Sequence, residues 1–399
     1  MLSVVVAYLT VAAALASSAV RPTRTPQRRK IVVFDADVDP KRHGSIVEGC
    51  GGSVKKSLPL INAAACMFSE EDKAMALLMR HGEVKWIEDD IVLNIMGAPA
   101  SRARVNLACL KARRPGLFKQ TMPWGVMKIG APSAWERATG KGVRVGIVDT
   151  GVNVNHPDLH YNIQGGFDAI SETEEVIDDN GHGTHVAGTI AALDNNFGVV
   201  GVAPEAHIYA AKSFDSKGRG MASDIIQGIE WCIAQGVHII NMSFGTSESS
   251  KALQLAISKA AEAGIILIAA SGNSGGQNTV LYPARDPHVV AVAACTKEDR
   301  IAEFSSSGPE VDITGPGEDI YSTYRGQRYK TLSGTSMACP HVSGTAALVL
   351  SMAPELPARD VIDLIYEAAT AMDEFPPEWR GAGLVNAGAA VNYAVKKRL

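Results

Sequence analysis

The sequence predicts an α/β protein: a doubly wound, mostly parallel sheet with helices on both faces, preceded by a small α+β domain. Three observations carry this reading. Apolar runs at 143–148, 208–211, 237–240, 265–269 and 289–294 have the length and near-continuous apolar character of strands buried on both faces. Segments of helical pattern, such as 182–193, 222–235 and 251–263, alternate with them. Ahead of these, residues 30–96 carry a shorter strand-and-helix pattern of their own. The 399 residues leave room for a large core and for more than one folding unit.

From the N-terminus, residues 1–20 are largely apolar and end in the small-residue run Ala14-Leu15-Ala16-Ser17-Ser18-Ala19. That predicts a signal peptide over 1–19 and hence a secreted, extracellular protein. No Lys or Arg precedes the apolar run and several follow it, so a signal anchor is the alternative. Residues 20–29 read as a basic linker. In 30–96, Ile31-Val32-Val33-Phe34 reads as a strand and 40–50 as a helix. Gly51-Gly52-Ser53-Val54 and Ala63-Ala64-Ala65-Cys66-Met67 bracket a second strand region. Residues 70–81 read as a helix with apolar positions at Ala74, Leu77 and Leu78, and 84–90 close the unit. Residues 97–119, with Pro99, Pro115, Arg102, Arg104, Arg113 and Arg114, read as a linker. The main domain then runs over 120–399.

Charge is nearly balanced at a net of −4, so nothing points to nucleic acid as a partner. The six cysteines, Cys50, Cys66, Cys109, Cys232, Cys295 and Cys339, show no C-x-x-C spacing, which gives a zinc site little support. They are expected to be mostly free and buried, although export permits oxidation of a pair.

The chemistry concentrates in three glycine-flanked motifs. Asp149 ends Val143-Arg144-Val145-Gly146-Ile147-Val148-Asp149, His182 lies in Asn180-Gly181-His182-Gly183-Thr184-His185, and Ser336 lies in Ser333-Gly334-Thr335-Ser336-Met337. An acid, a base and a hydroxyl are the parts of a nucleophile-activating relay. Serine is a poor nucleophile at neutral pH, so Ser336 needs a base within hydrogen-bond reach. Two other motifs fail their tests. Gly140-Lys141-Gly142 precedes its strand, so it is no dinucleotide loop, and neither Gly-Thr-Ser copy completes the G-x-S-x-G elbow of the α/β hydrolases.

On these motifs, in this order, the chain resembles the subtilisin-like serine peptidases over about residue 120 to the C-terminus, and 30–96 resembles their propeptide. The resemblance implies a self-processing serine endopeptidase acting on proteins or peptides as a monomer, with its own propeptide as folding aid and inhibitor. It selects His182 over His185 as the base and leaves His185 a structural role. It implies that Asn273 pairs with the Ser336 backbone N–H to form the oxyanion hole. Substrate would lie as an added strand between Ser243-Phe244-Gly245 and Gly218-Arg219-Gly220. Leu281, where the family often has glycine, and Ser274, where some members carry an acid, imply a primary pocket for apolar side chains. A structural calcium would be held by Gln120, Asp158 and Asn195 side chains and the carbonyls of Leu193, Phe197 and Val199. Processing would fall between Met96 and Gly97, with Met96 in the primary pocket and Leu93 in a second; Arg113-Arg114 and the junction before Gln120 are the alternatives. A catalytically silent relative used for binding is the competing reading.

Overall fold

The computed structural model describes residues 29–96 and 119–398. The predicted signal peptide, nearly all of the 20–29 and 97–119 linkers, and Cys109 lie outside the described residues. Among the described residues no helix is long and apolar enough to cross a membrane.

The N-terminal unit contains β1 (Lys30–Phe34), α1 (His43–Gly49), β2 (Gly52–Leu58), β3 (Ala63–Phe68), α2 (Glu71–Leu78) and β4 (Val84–Asp89). Its strands form an antiparallel sheet in the order β2-β3-β1-β4. Period-two alternation gives the sheet two apolar faces. Val32, Phe34, Ala64 and Cys66 pack with Val47 and Leu78 into a local core. Ile31, Val33, Ala63 and Ala65 join a core shared with residues 222–293. The helix expected over 40–50 opens as a 3-10 turn at Pro40–Arg42, where the Asp39 side chain accepts from Lys41 N. Leu77 does not join the buried face; it is 45% exposed, while Ala74 and Leu78 are buried.

A short strand follows, β5 (Val92–Ile95). The main domain then adds β6 (Arg144–Asp149), β7 (Ile163–Asp168), α3 (His182–Ala191), β8 (His207–Lys212), β9 (Arg219–Met221), α4 (Ala222–Ala234), β10 (Ile239–Met242) and β11 (Phe244–Gly245). After these come α5 (Lys251–Glu262), β12 (Ile266–Ala270), β13 (Val289–Cys295), β14 (Ile313–Pro316), the hairpin β15 (Ile320–Tyr324) and β16 (Arg328–Leu332), and α6 (Thr335–Met352).

Seven strands form a wholly parallel sheet in the order β14-β13-β12-β10-β6-β8-β7. Successive residues serve opposite faces. Val145, Ile147, Ile239, Ile268 and Val292 face the core containing α3 and α6. Val148, Ile240, Leu267 and Ala291 face the core containing α4 and α5. The central strands are therefore apolar on both sides, which is why their runs read as nearly continuous. The two edge strands, β7 and β14, escaped the sequence pattern. Gly165 and Gly166 interrupt one, and Gly315-Pro316 end the other, and such residues are tolerated at sheet edges.

The chain starts this sheet in the middle and crosses from one side to the other between β8 and β10. Ligands of such sheets bind beyond the carboxyl ends of strands at that switch. Asp149 ends β6, Ser243 follows β10, and Asn273 lies just beyond β12, all at this end.

The N-terminal unit docks through α4 and α5. Asp90 accepts from Ser223 N at 2.9 Å and from Ser223 Oγ at 2.7 Å, in the first turn of α4. Glu88 accepts from Ser250 Oγ at 2.6 Å and from Ala252 N at 3.2 Å, at the start of α5. Each carboxylate thus meets free backbone N–H groups and the positive end of a helix dipole.

Candidate active site

Asp149 is fully buried at the end of β6. Its carboxylate accepts from His182 Nδ1, at 2.8 Å to Oδ1 and 3.0 Å to Oδ2, and from Thr150 N at 2.7 Å. His182 is the first residue of α3, and Gly181 before it has φ 107°, a conformation that favours glycine. Gly183 is required by space: a Cβ there would lie 2.1 Å from the Gly151 carbonyl oxygen. With Nδ1–H committed to Asp149, Nε2 carries the lone pair, and it has no hydrogen-bond partner among the described residues. Burial lowers the His182 pKa, but the charge and hydrogen bond of Asp149 and the charge of Asp178 outweigh it, and the net shift is upward.

Asp178 is a residue that sequence reasoning missed. It is buried, and its Oδ1 accepts from Thr150 Oγ1 at 2.9 Å, Gly181 N at 2.6 Å and Asn180 N at 3.1 Å. Its Oδ2 accepts from Thr184 N at 2.9 Å and Thr184 Oγ1 at 2.5 Å. It therefore takes up a free first-turn N–H of α3, whose N-cap is Gly181, and ties the Asp149 loop to the His182 loop. The available signal was an acid shortly before a His-Gly-Thr helix start. His185 is fully buried, and its Nε2 donates to Ile320 O and Lys330 O, both at 3.0 Å, on the β15–β16 hairpin. Burial pushes its pKa down to about 3, so it is a neutral structural group.

Ser336 is the second residue of α6, fully buried, after Gly334 at φ 152°. The helix starts at Thr335. The Ser336 hydroxyl donates to the Ser243 carbonyl at 2.8 Å rather than to His182. The expected nucleophile–base bond is thus not made in this arrangement, although α3 and α6 pack against each other. Loose or unmade nucleophile–base bonds are common outside the reacting complex.

Asn273 is oriented by a second missed residue, Thr335. Its Oδ1 accepts from Thr335 N and Thr335 Oγ1, both at 2.9 Å, which turns Nδ2 outward. Thr335 Oγ1 in turn accepts from Gly272 N at 3.2 Å. Asn273 Nδ2 donates to the carbonyl of Met96 at 2.9 Å. Ser336 N–H, the expected partner of Asn273 in an oxyanion hole, makes no bond to that carbonyl.

The cleft holds the chain's own β5. It pairs antiparallel with β11 on one side, Phe244↔Ile95 and Gly245↔Asn94, and with β9 on the other, Leu93↔Gly220 and Asn94↔Arg219. Ile95 N donates to Gly218 O at 3.0 Å and Met96 N to Ser243 O at 3.4 Å. Two glycines make room for it. A Cβ on Gly218 would lie 2.4 Å from Ile95 Cγ1, and one on Gly245 would lie 2.4 Å from Met96 Cε and 3.0 Å from Leu281 Cβ. Met96 thus sits over Gly245 beside Leu281, and Leu93 is fully buried in the core that includes Phe214 and Phe244. Ser274 is held by its backbone, with N donating to Ser306 Oγ at 3.3 Å.

Residues of the suggested cation site also meet. Gln120 Nε2 donates to Leu193 O at 2.6 Å and Val199 O at 3.1 Å, so two carbonyls converge on one point. Asp158, fully buried, accepts from Asn195 Nδ2 at 3.0 Å, Val199 N at 2.9 Å and Tyr329 OH at 2.8 Å. Phe197 donates its N–H to Asn195 Oδ1 at 2.9 Å. The Asp158 carboxylate and the Leu193 and Val199 carbonyls are oxygens of the kind a hard cation takes, and here the Gln120 and Asn195 amide nitrogens donate to them. Among the described residues the cysteines, Cys50, Cys66, Cys232, Cys295 and Cys339, are free, and all but Cys50 are buried.

Comparison with known proteins gives the family. The model of the subtilase family matches residues 140–386. The chain is 47% identical to a thermostable alkaline protease of Halalkalibacterium halodurans over 286 residues, 71% of this chain and 78% of that protein. It is 40% identical to subtilisin E of Bacillus subtilis over 350 residues, 86% of this chain and 84% of the relative. It is 44% identical to subtilisin BL of Lederbergia lenta over 272 residues, 68% of this chain and 99% of that one. The chain therefore belongs to the subtilase family: it is a subtilisin-like serine endopeptidase.

Proposed function

We propose that this peptidase is secreted and processes itself, that Asp149, His182 and Ser336 form its relay, and that its N-terminal unit is a propeptide and inhibitor. The observation that carries this reading is the seat of Met96. The carbonyl of Met96 accepts from the Asn273 amide at the end of a strand laid between β9 and β11. A substrate's acyl half would bind in the same way.

In the reaction the Ser336 hydroxyl leaves the Ser243 carbonyl and attacks the scissile carbonyl carbon. Its proton passes to His182 Nε2, while Asp149 holds the imidazolium that forms. Asn273 donates to the developing oxyanion. His182 then gives the proton to the leaving amine, and water, activated by the same histidine, releases the acyl group and restores the Ser336 hydroxyl. Leu281 beside Gly245 makes the primary pocket apolar and short, which favours apolar side chains such as Met96. On this reading, Leu93 fills the second pocket, and self-processing cuts between Met96 and Gly97. Calcium would be held by Asp158, Asn195 and Gln120 side chains with the carbonyls of Leu193, Phe197 and Val199. It would tie the 193–199 loop to Gln120 and neutralise a buried carboxylate.

Ser336→Ala should leave no peptidase activity and a chain that keeps its N-terminal unit, whereas the unaltered protein should yield a mature N-terminus at Gly97. N-terminal sequencing checks both; normal maturation of Ser336→Ala expressed alone would refute the relay or the self-cleavage.

Asn273→Ala should lower kcat about 10²–10³-fold with little change in KM, a magnitude measured on a member of this same family rather than derived from these contacts. A loss confined to KM would assign Asn273 to ground-state binding instead.

His182 works as a neutral base, so activity is lost as pH falls through its raised pKa. Asp178 contributes to that rise, so Asp178→Asn should move the acid limb of kcat/KM to lower pH. A limb that moves upward, or stays put, contradicts this electrostatic role.

Calcium at 100-fold over its Kd should stabilise the fold by about 2.7 kcal/mol, seen as a higher melting temperature than in a chelator. Identical melting in the two conditions would remove the site at Asp158.

A further inference from the structure

Lys56 on β2 is a buried cation that the chemistry above does not use. It is 6% exposed, and its ammonium reaches out of the N-terminal unit into oxygens supplied by the main domain. It donates to the Ala169 carbonyl. Around it lie Gln227 Oε1 at 3.1 Å, Asp224 Oδ1 at 3.1 Å, Ile170 O at 3.5 Å and Glu172 Oε1 at 3.6 Å. Gln227 Nε2 donates to Glu172 Oε1 at 3.0 Å, which leaves the amide oxygen for the ammonium. Two carboxylates, two carbonyls and one amide oxygen thus converge on one positive charge. None of the five donors belongs to the N-terminal unit, and none is shared with the Asp158 cluster.

We infer that these five oxygens are a second cation site of the main domain, filled by the Lys56 ammonium while the N-terminal unit is docked and by calcium once that unit has gone. The inference rests on the proposed release of the unit. Departure takes away Lys56 and also Arg29, whose Nη2 lies 3.3 Å from Asp224 Oδ1. Asp224 and Glu172 would then share a small space with two carbonyl dipoles and no positive charge, which is unfavourable. Calcium takes six to eight oxygens at about 2.3–2.6 Å, so five protein donors and one or more waters complete its shell. The oxygens at 3.1–3.6 Å need to draw in by about 0.5–1.3 Å from their positions around the larger ammonium. The two carboxylates match a divalent charge. Lys56 and calcium compete for one seat, so calcium weakens docking of the N-terminal unit: at ten times its Kd for this seat, by about tenfold.

The test uses the full-length Ser336→Ala chain, which does not depend on processing. Calcium is titrated calorimetrically into this protein with Lys56 present, and into Lys56→Met, which keeps the apolar stem without the charge. One further calcium equivalent should appear in Lys56→Met and disappear again when Asp224→Asn is added. A gained equivalent that survives Asp224→Asn overturns the proposal. If Lys56→Met gains no equivalent, because Arg29 still neutralises Asp224 in the docked chain, or does not fold, the mature enzyme decides: Asp224→Asn should bind one calcium fewer than the unaltered mature protein, and equal stoichiometry overturns the site. Failure of the self-processing reading is visible separately, as a Ser336 chain that never loses its N-terminal unit on a gel.

Discussion

The site depends on keeping the Asp149 carboxylate out of water. A carboxyl group without solvent must be given hydrogen bonds, or its burial costs several kcal/mol. Asp149 receives them from His182 Nδ1 and Thr150 N, and each bond constrains what surrounds it. His182 must enter from a helix start, so Gly181 takes a positive φ and Gly183 carries no side chain. Thr150 must hold its place, so its hydroxyl is tied to Asp178 and its carbonyl accepts from Lys212 Nζ at 2.9 Å. Lys212 also donates to Phe214 O and to Asp179, which braces the segment leading to β9. In such a dry setting charges act on one another strongly, and this is why two carboxylates overcome the effect of burial on His182.

The same economy governs the cleft. β9 and β11 are short strands with a gap between them, and a peptide that fills the gap finds main-chain partners on both sides. On the proposed reading, recognition of this kind reads the backbone, so it accepts many sequences, and selectivity falls to the few places where side chains enter pockets. The glycines at 218 and 245 follow from it, because a neighbouring strand cannot approach a backbone that carries a side chain there. Leu281 then sets how much room remains beside Gly245.

Much of this was legible in the sequence, and the gaps have physical reasons. The central strands were readable because both of their faces are buried, which makes the apolar runs nearly unbroken. β7 and β14 were not, since edge strands tolerate glycine and proline. Asp149, His182 and Ser336 stood out because their glycine-flanked motifs are local, while Asn273 came from the resemblance. Asp178 and Thr335 did not, because what they do lies in bonds between loops far apart in the chain. The Ser336–Ser243 hydrogen bond was beyond reach for another reason: a hydroxyl chooses its partner by rotation, and no sequence pattern encodes that choice. The cation role proposed for Gln120 and Asp158 came from the resemblance, since neither has a pattern of its own. Lys56 gave no signal, as a lysine on a strand normally faces water and is buried here only by the docking of one unit on another.

On the proposed reading, the placement of the cut explains why the N-terminal unit would outlast its own cleavage. Every contact made by β5 and Met96 lies on the acyl side of the Met96–Gly97 bond: the ladders to β9 and β11, the Asn273 hydrogen bond and the packing at Leu281. Breaking that bond removes none of them, so the product begins life as a bound inhibitor. What holds it further is a set of charged contacts made on docking, Glu88 and Asp90 at two helix starts and Lys56 and Arg29 beside Asp224, of which Asp90, Lys56 and Asp224 are buried. Buried charges are costly when only one partner departs, so such an interface resists partial opening and separates as a unit. Escape then depends on how well the main domain's own charges are satisfied afterwards. Solvent can do this for exposed groups, but the carbonyls and carboxylates that converge on Lys56 call for a cation, and whichever cation takes its place determines how readily the unit returns.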